Sequence, residues 1–197
     1  MKGMIVLFKF IKKKKNFNNP QDIIDYMQIN NREIILNSIT SIQATQIDAA
    51  IRYWNFIDDK KTIPNGQRKP IKIYINSYGG NLNDALAIAD SIKLSRTPVF
   101  TFNMNIVFKE SILIYLAGDK RYAYPNSLFM FEFNNMDQDE VINNFYINNI
   151  KNLFLEKASI PENQLDRYFK NKTYFTAKQA LDSFICNEVQ KNHYYNK

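Results

Sequence analysis

Hydrophobic residues along this chain alternate between the short period of strands and the longer period of helices. REIILN at 32–37 reads as a short buried strand, and IKIYINS at 71–77 and VFTFNM at 99–104 carry the same β-branched and aromatic density. Between the first two, Ile47, Ile51 and Trp54 recur at helical spacing within 41–59 and predict one buried helix face. A polar loop over 60–70, with Pro64 and the turn signal Asn65-Gly66, separates that helix from the second strand. The second strand stops at Gly79-Gly80. Asn81 then predicts an N-cap, and Asp84 falls at the positive end of the helix dipole. The helix after it, to about Ser95, would bury Leu82, Ala85, Leu86, Ala89 and Ile92.

The alternation continues to the C-terminus. ILIYLAG at 112–118 predicts a small apolar helix, and YAY and LFMFEF (128–133) predict short strands. A long amphipathic helix over about 138–157 would turn Ile142, Phe145, Tyr146, Ile150 and Leu153 inward. A shorter helix surrounds Leu165 and Tyr168, and Thr176 with Gln179 makes a capping box that opens a last one. Short strands alternating with helices place the chain in the α/β class, and no linker divides it.

Composition narrows the function classes. A chain of 197 residues suits one domain, and its 15 Phe and 12 Tyr supply a large core. With only 5 glycines, each one in a tight place calls for a reason. The net charge of +7 is concentrated in part at Lys12–Lys15, which reads as a solvated tail, and no basic face interleaved with aromatics suggests nucleic acid. The single cysteine, Cys186, excludes an internal disulfide, and its apolar setting (SFIC) points to an inert buried thiol. No apolar stretch approaches the ~20 residues of a membrane span. Residues 1–11 are apolar but too short to span, and read as a targeting remnant or a mobile terminal loop. No cluster of His and Cys suggests a metal, and no cofactor is expected.

One constellation is more specific. IYINSYGGNLNDALAIADSIK resembles the signature of the Clp protease proteolytic subunit family, in which Ile-Asn-Ser-Pro-Gly-Gly precedes a helix. LAGDKRYAYPNSLFMFEF and YFTAKQALDSFICNEV match the same family in order, so the resemblance runs from about Arg32 to Val189. It implies the ClpP/crotonase-like spiral of repeated β-β-α units with a helical handle. On that fold, 1–31 would be a basic N-terminal segment or axial region and 32–134 the head core. Residues 135–160 would be a shortened handle helix, and 161–197 the C-terminal part of the head and the tail. Two departures in length stand out, an insertion near 60–68 and a deletion after Glu132.

The resemblance places the family's catalytic positions one by one. Counted back from Ala117-Gly118, the nucleophilic serine falls on Lys109; counted on from Pro125-Asn126-Ser127, the histidine falls on Glu132. The aspartate, ahead of the closing Tyr-Phe-Thr-Ala segment, falls on Lys172. All three are replaced, and an ion-pair cluster is expected where the triad would stand. Gly79, Gly80 and Glu110 occupy the oxyanion and peptide-groove positions; without the family, the diglycine reads equally as a tight strand-to-helix turn. Independently of any family, a Ser-His-Asp triad needs an imidazole, and the only histidine is His193 near the C-terminus. Loss of a whole triad costs about a millionfold in turnover. A Lys109/Ser111 dyad is the alternative peptidase chemistry, but residues two apart on a helix do not face each other.

The resemblance further implies an inactive R-type subunit of a plastid, specifically apicoplast, Clp system. It would contribute to a homo-oligomeric ring of seven subunits, with an active ClpP paralogue and a Clp ATPase unfoldase as further partners. Weak or absent stacking of two rings is expected, because the segment after Glu132 lacks glycine and is short for a handle strand. The family's unfoldase-docking hollow, between neighbouring subunits, maps to Lys72, Tyr74, Leu94, Phe102, Met104, Tyr122 and Tyr124. Phe102 and Met104 read equally as plain core. Lys72 stands where an aromatic is usual, and an unpartnered ammonium there would be costly. An acyl-CoA enzyme of the crotonase type shares the spiral and is the other alternative, with Glu110 or Glu132 as its catalytic carboxylate.

Overall fold

The computed structural model describes residues 19–133 and 140–191. Five strands run in parallel across one sheet, in the order β1 (Glu33–Leu36), β2 (Ile71–Ser77), β3 (Val99–Phe108), β4 (Lys120–Ala123) and β7 (Glu188–Val189). β3 pairs with β4 through Phe100–Asn103, and then with β5 (Leu128–Phe131) through Ile106–Phe108. That change of neighbour explains why β3 runs past Met104, where the apolar pattern suggested an end. β6 (Thr173–Thr176) closes the far side, antiparallel to β5. Among the described residues seven α-helices accompany the sheet: α1 (Pro20–Asn31), α2 (Ser41–Lys60), α3 (Leu82–Lys93), α4 (Ser111–Ala117), α5 (Glu140–Lys157), α6 (Glu162–Lys170) and α7 (Ala177–Asp182). The fold is mixed α/β, as the alternation of periods predicts.

β2 shows how the sequence sets the two faces of the sheet. Ile71, Ile73, Ile75 and Ser77 are buried, while Lys72, Tyr74 and Asn76 between them are half-buried on the opposite face. The buried face packs against Ile51 and Trp54 of α2 and Ala85, Ile88 and Ala89 of α3. It also packs against α4, which is buried at every one of its residues. Caps follow the sequence closely. The Asn81 side chain accepts from the amide of Asp84 at 3.0 Å, and Thr176 with Gln179 forms the complete capping box.

Several expectations need correction. β1 is an edge strand, and only Leu36 of its four residues is buried, because one of its faces lies open. Leu82 and Leu86 are half-buried against the core rather than within it. Along α5 the inward stripe runs through Asn143, Tyr146, Ile147, Ile150, Leu153 and Phe154. That phase leaves Phe145 and Ile142 exposed, at 61% and 42%, and only the C-terminal half of the helix reaches the core. α1 carried no sequence prediction; Asn19 caps it, and it contributes no buried residue. The handle segment 134–139, the Lys12–Lys15 run and His193 lie outside the described residues.

Two arginines hold the fold together by means that periodicity does not reveal. Arg32, in a left-handed conformation after α1, grips the fully buried Asp58 at 2.5 Å, and Thr97 donates to the same carboxylate at 2.9 Å. Arg121 is buried and donates to the carbonyls of Ile185, Lys157 and Phe184 at 2.8–3.0 Å, tying the end of α5 to the C-terminal segment.

Candidate functional site

The candidate site lies where the end of β2 meets the end of β3. Gly79 has φ 108°, a conformation that L side chains rarely adopt. A Cβ on Gly80 would stand 2.4 Å from the Ile39 carbonyl oxygen, so close approach to Ile39 requires a glycine there. On the other side, Lys109 forms the turn between β3 and α4 with φ 51°. A non-glycine residue held this way stores roughly 1–3 kcal/mol of strain. The turn is fixed by its amide donating to the Met130 carbonyl at 2.9 Å and its carbonyl accepting from Ile112 at 3.0 Å. This sharp strand-turn-helix lifts the Lys109 side chain away from the sheet.

The lifted ammonium meets Glu132. Lys109 Nζ lies 3.2 Å from Glu132 Oε2, both side chains being partly exposed. Lys172, just before β6, places its ammonium 5.6 Å from the centre of the Tyr174 ring. Hydrogen bonding with Tyr174 holds the Lys172 pKa above its usual value, and the charge of Glu132 adds to the shift. Both lysines therefore gather around one carboxylate, the first in direct contact and the second through its field. Lys109, Glu132 and Lys172 come together in space although they are far apart in sequence, because Lys172 and Glu132 flank the paired ends of β6 and β5.

Glu110 does something its place in the motif did not suggest. Its backbone marks the start of α4, but its side chain turns back, and Oε2 accepts a hydrogen bond from the Gly80 amide at 3.0 Å. The same oxygen stands 2.4 Å from where a Cβ on Gly79 would be, so the carboxylate lies flush on the diglycine. An acid directly after the turn residue was the only sequence signal for this contact.

Neither alternative nucleophile has the needed surroundings. The Ser111 hydroxyl is buried and donates to the carbonyls of Phe108 at 2.6 Å and Ser77 at 3.3 Å, while the Lys109 ammonium faces Glu132. The two side chains thus have separate partners. Burial pushes the Cys186 thiol up to about 11, far from the thiolate that attack requires. Among the described residues no group of three or more His, Cys, Asp or Glu is placed to hold a metal.

A second surface covers the open face of the sheet. Tyr74, Phe102 and Tyr122 stand side by side on β2, β3 and β4, and their rings stack at 4.7 Å in both steps. Burial raises the Tyr74 hydroxyl to about 12, with Glu33 adding to the shift. Met104 is half-buried and Tyr124 exposed, so the plain-core reading of Phe102 and Met104 does not hold for this face. Lys72 is not an unpartnered cation: Glu33, opposite it on β1, lies 3.3 Å away. Pairing of β1 with β2 creates that contact, which no local pattern shows. Leu94 stands apart from the ladder, 83% exposed beside Phe56 in a groove between α2 and α3. Within one chain the structure therefore brings six of the seven positions to the open side of the sheet and leaves Leu94 elsewhere.

Comparison with known proteins places the chain in a family and matches its fold. The Clp protease family model matches residues 18–193, a longer span than the motifs alone marked. ATP-dependent Clp protease proteolytic subunit 2 of Treponema denticola is 25% identical over 190 residues, covering 91% of this chain and 92% of that protein. The chloroplastic proteolytic subunit 4 of Arabidopsis thaliana is 34% identical over 108 residues, 54% of this chain and 35% of its own length. In fold, ClpP1 from Listeria monocytogenes superposes with a TM-score of 0.75 at 22% identity, over 86% of this chain and 97% of that one. The chain belongs to the Clp protease family.

Proposed function

We propose that this chain is a non-catalytic subunit of a Clp-type ATP-dependent protease ring, contributing ring contacts and a docking face for an unfoldase. The observation that carries this reading is the Lys109–Glu132 ion pair with Lys172 beside it. Peptide hydrolysis by this family's chemistry needs a hydroxyl that gives up its proton and an imidazole that takes and returns it. An ammonium paired with a carboxylate offers neither. The side chains have instead neutralised one another in a partly exposed ion pair.

Members of the family form oligomeric rings, and a subunit without chemistry acts through its surfaces. The Tyr74–Phe102–Tyr122 ladder supports docking, because stacked aromatics with half-open faces suit an apolar partner segment. The Glu33–Lys72 pair at its margin makes this face more polar than an all-aromatic one, which favours a partner carrying complementary charge. A plastid location is supported by the chloroplastic relative, and nothing in the comparisons points to an apicoplast in particular. Among the described residues no helix is long and apolar enough to cross a membrane.

Light scattering at micromolar concentration tests the assembly. The expected mass is near seven chains of 23.2 kDa, in a single ring that stacks weakly or not at all. On mixing with an active Clp proteolytic subunit, native mass spectrometry should show both chain types in one ring. A clean monomer that also ignores the active subunit would overturn the reading.

A further inference from the structure

We propose that Glu110 is an internal occupant of the peptide groove, so that the groove is closed in cis as well as stripped of its nucleophile. This inference rests on the reading of the Lys109 turn as the remains of a peptide site, and it concerns what now fills that site.

The geometry around the Glu110 Oε2 atom supplies the support. The Gly80 amide points away from the short parallel bridge to Ile39 and donates to Glu110 Oε2 at 3.0 Å. A backbone N–H exposed at a strand-to-helix turn is the group that a bound carbonyl oxygen would use. A carboxylate oxygen is the stronger acceptor of the two, and hydrogen bonds to charged acceptors are roughly twice as strong as neutral ones. The carboxylate fits against the bare face of Gly79, and a Cβ there would meet the Oε2 atom at 2.4 Å and Lys109 Cβ at 3.1 Å. Gly79 therefore leaves room that the Glu110 carboxylate now fills.

Attachment decides the competition. Glu110 is one residue from the turn and has few bonds to order, so its effective concentration at the Gly80 amide far exceeds that of any free peptide. A peptide entering the cleft must displace a charged oxygen with a neutral one. The lost triad removes turnover; the Glu110 contact removes binding. The two are separable.

The test uses the full chain with Glu110→Ala and Glu110→Gln. Hydrogen exchange should show the Gly80 amide exchanging at least about tenfold faster in E110A than in the unaltered protein. E110Q, whose side-chain carbonyl still accepts, should keep most of the protection. Fluorescence anisotropy with a fluorescein-labelled, end-blocked heptapeptide should show at least about tenfold tighter binding to E110A than to the unaltered chain. Equal Gly80 exchange in E110A and the unaltered protein, or equal peptide affinity, would overturn the proposal. Either result would leave the non-catalytic reading intact, since that reading fails only on turnover or assembly.

Discussion

The Lys109 ammonium and the Glu132 carboxylate, 23 positions apart in sequence, meet at 3.2 Å just past the ends of the paired strands β3 and β5. Both side chains keep contact with solvent, 42% and 34% exposed, so water screens the attraction. Such pairs contribute between nothing and about 1 kcal/mol. Lys109→Ala should accordingly change unfolding free energy by less than about 1 kcal/mol, read from urea denaturation. A loss of several kcal/mol would mean that the pair is a buried structural element rather than a solvated remnant.

Reversing all three positions together, as K109S, E132H and K172D, should yield at most feeble peptidase activity. A working triad must be held to within roughly half an ångström by its supporting residues. Here Lys172 leans on Tyr174, the Ser111 hydroxyl is engaged by the Phe108 carbonyl, and Glu110 occupies the Gly80 amide. Steady-state assays with a fluorogenic peptide check this; turnover matching an active subunit would show that the surrounding shell survives.

The most sensitive electrostatic contact for stability lies elsewhere, between Arg32 and Asp58. Asp58 is fully buried, and removing its charge strands the Arg32 guanidinium at 11% exposure. Asp58→Asn should destabilise by about 3–5 kcal/mol, a fall in Tm on the order of 10 °C. The hydrogen bond from Arg32 holds the Asp58 pKa below the ordinary aspartate value. A lowered folded-state pKa gives stability that is fully present above the unfolded value of about 4 and is lost as pH falls through the folded one. The gap between D58N and the unaltered chain should therefore hold a plateau from about pH 5 to 8 and shrink only in acid. Thermal melts across that range measure it.

Phe102 stacks on Tyr74 on one side and Tyr122 on the other. Because the ladder is half-open to solvent, Phe102→Ala should cost only about 1–2 kcal/mol of stability. The same change should weaken binding of a Clp unfoldase at least about tenfold by surface plasmon resonance, since aromatic anchors dominate interface energetics. Unchanged unfoldase affinity in a folded F102A ring would remove the ladder from the docking face.

Sequence patterns were informative mainly where the structure is local. The end of β2 at the diglycine, the Asn81 cap and the Thr176–Gln179 box depend on residues within four positions of one another, and the structure has all of them. The gathering of Lys109, Glu132 and Lys172 came from motif spacing rather than periodicity, because three separate strands deliver them. The misplaced features share one physical reason. Whether β1 lies at an edge, and whether the first half of α5 touches the core, depends on neighbours that period alone does not name. The Glu33–Lys72 pair and the Arg121 clamp are likewise products of tertiary contact, and charged residues give no apolar signal. The Glu110 contact was hidden because its backbone position in the motif says nothing of where its side chain turns.

If this member of a protease family has no peptidase chemistry of its own, the purified chain should leave a fluorogenic peptide intact. Hydrolysis is best measured at the protein concentration where the ring mass is determined, so that assembly is not in question. The expected rate is indistinguishable from buffer, with no change on Lys109→Ala. Turnover that scales with protein concentration and disappears in K109A would contradict it.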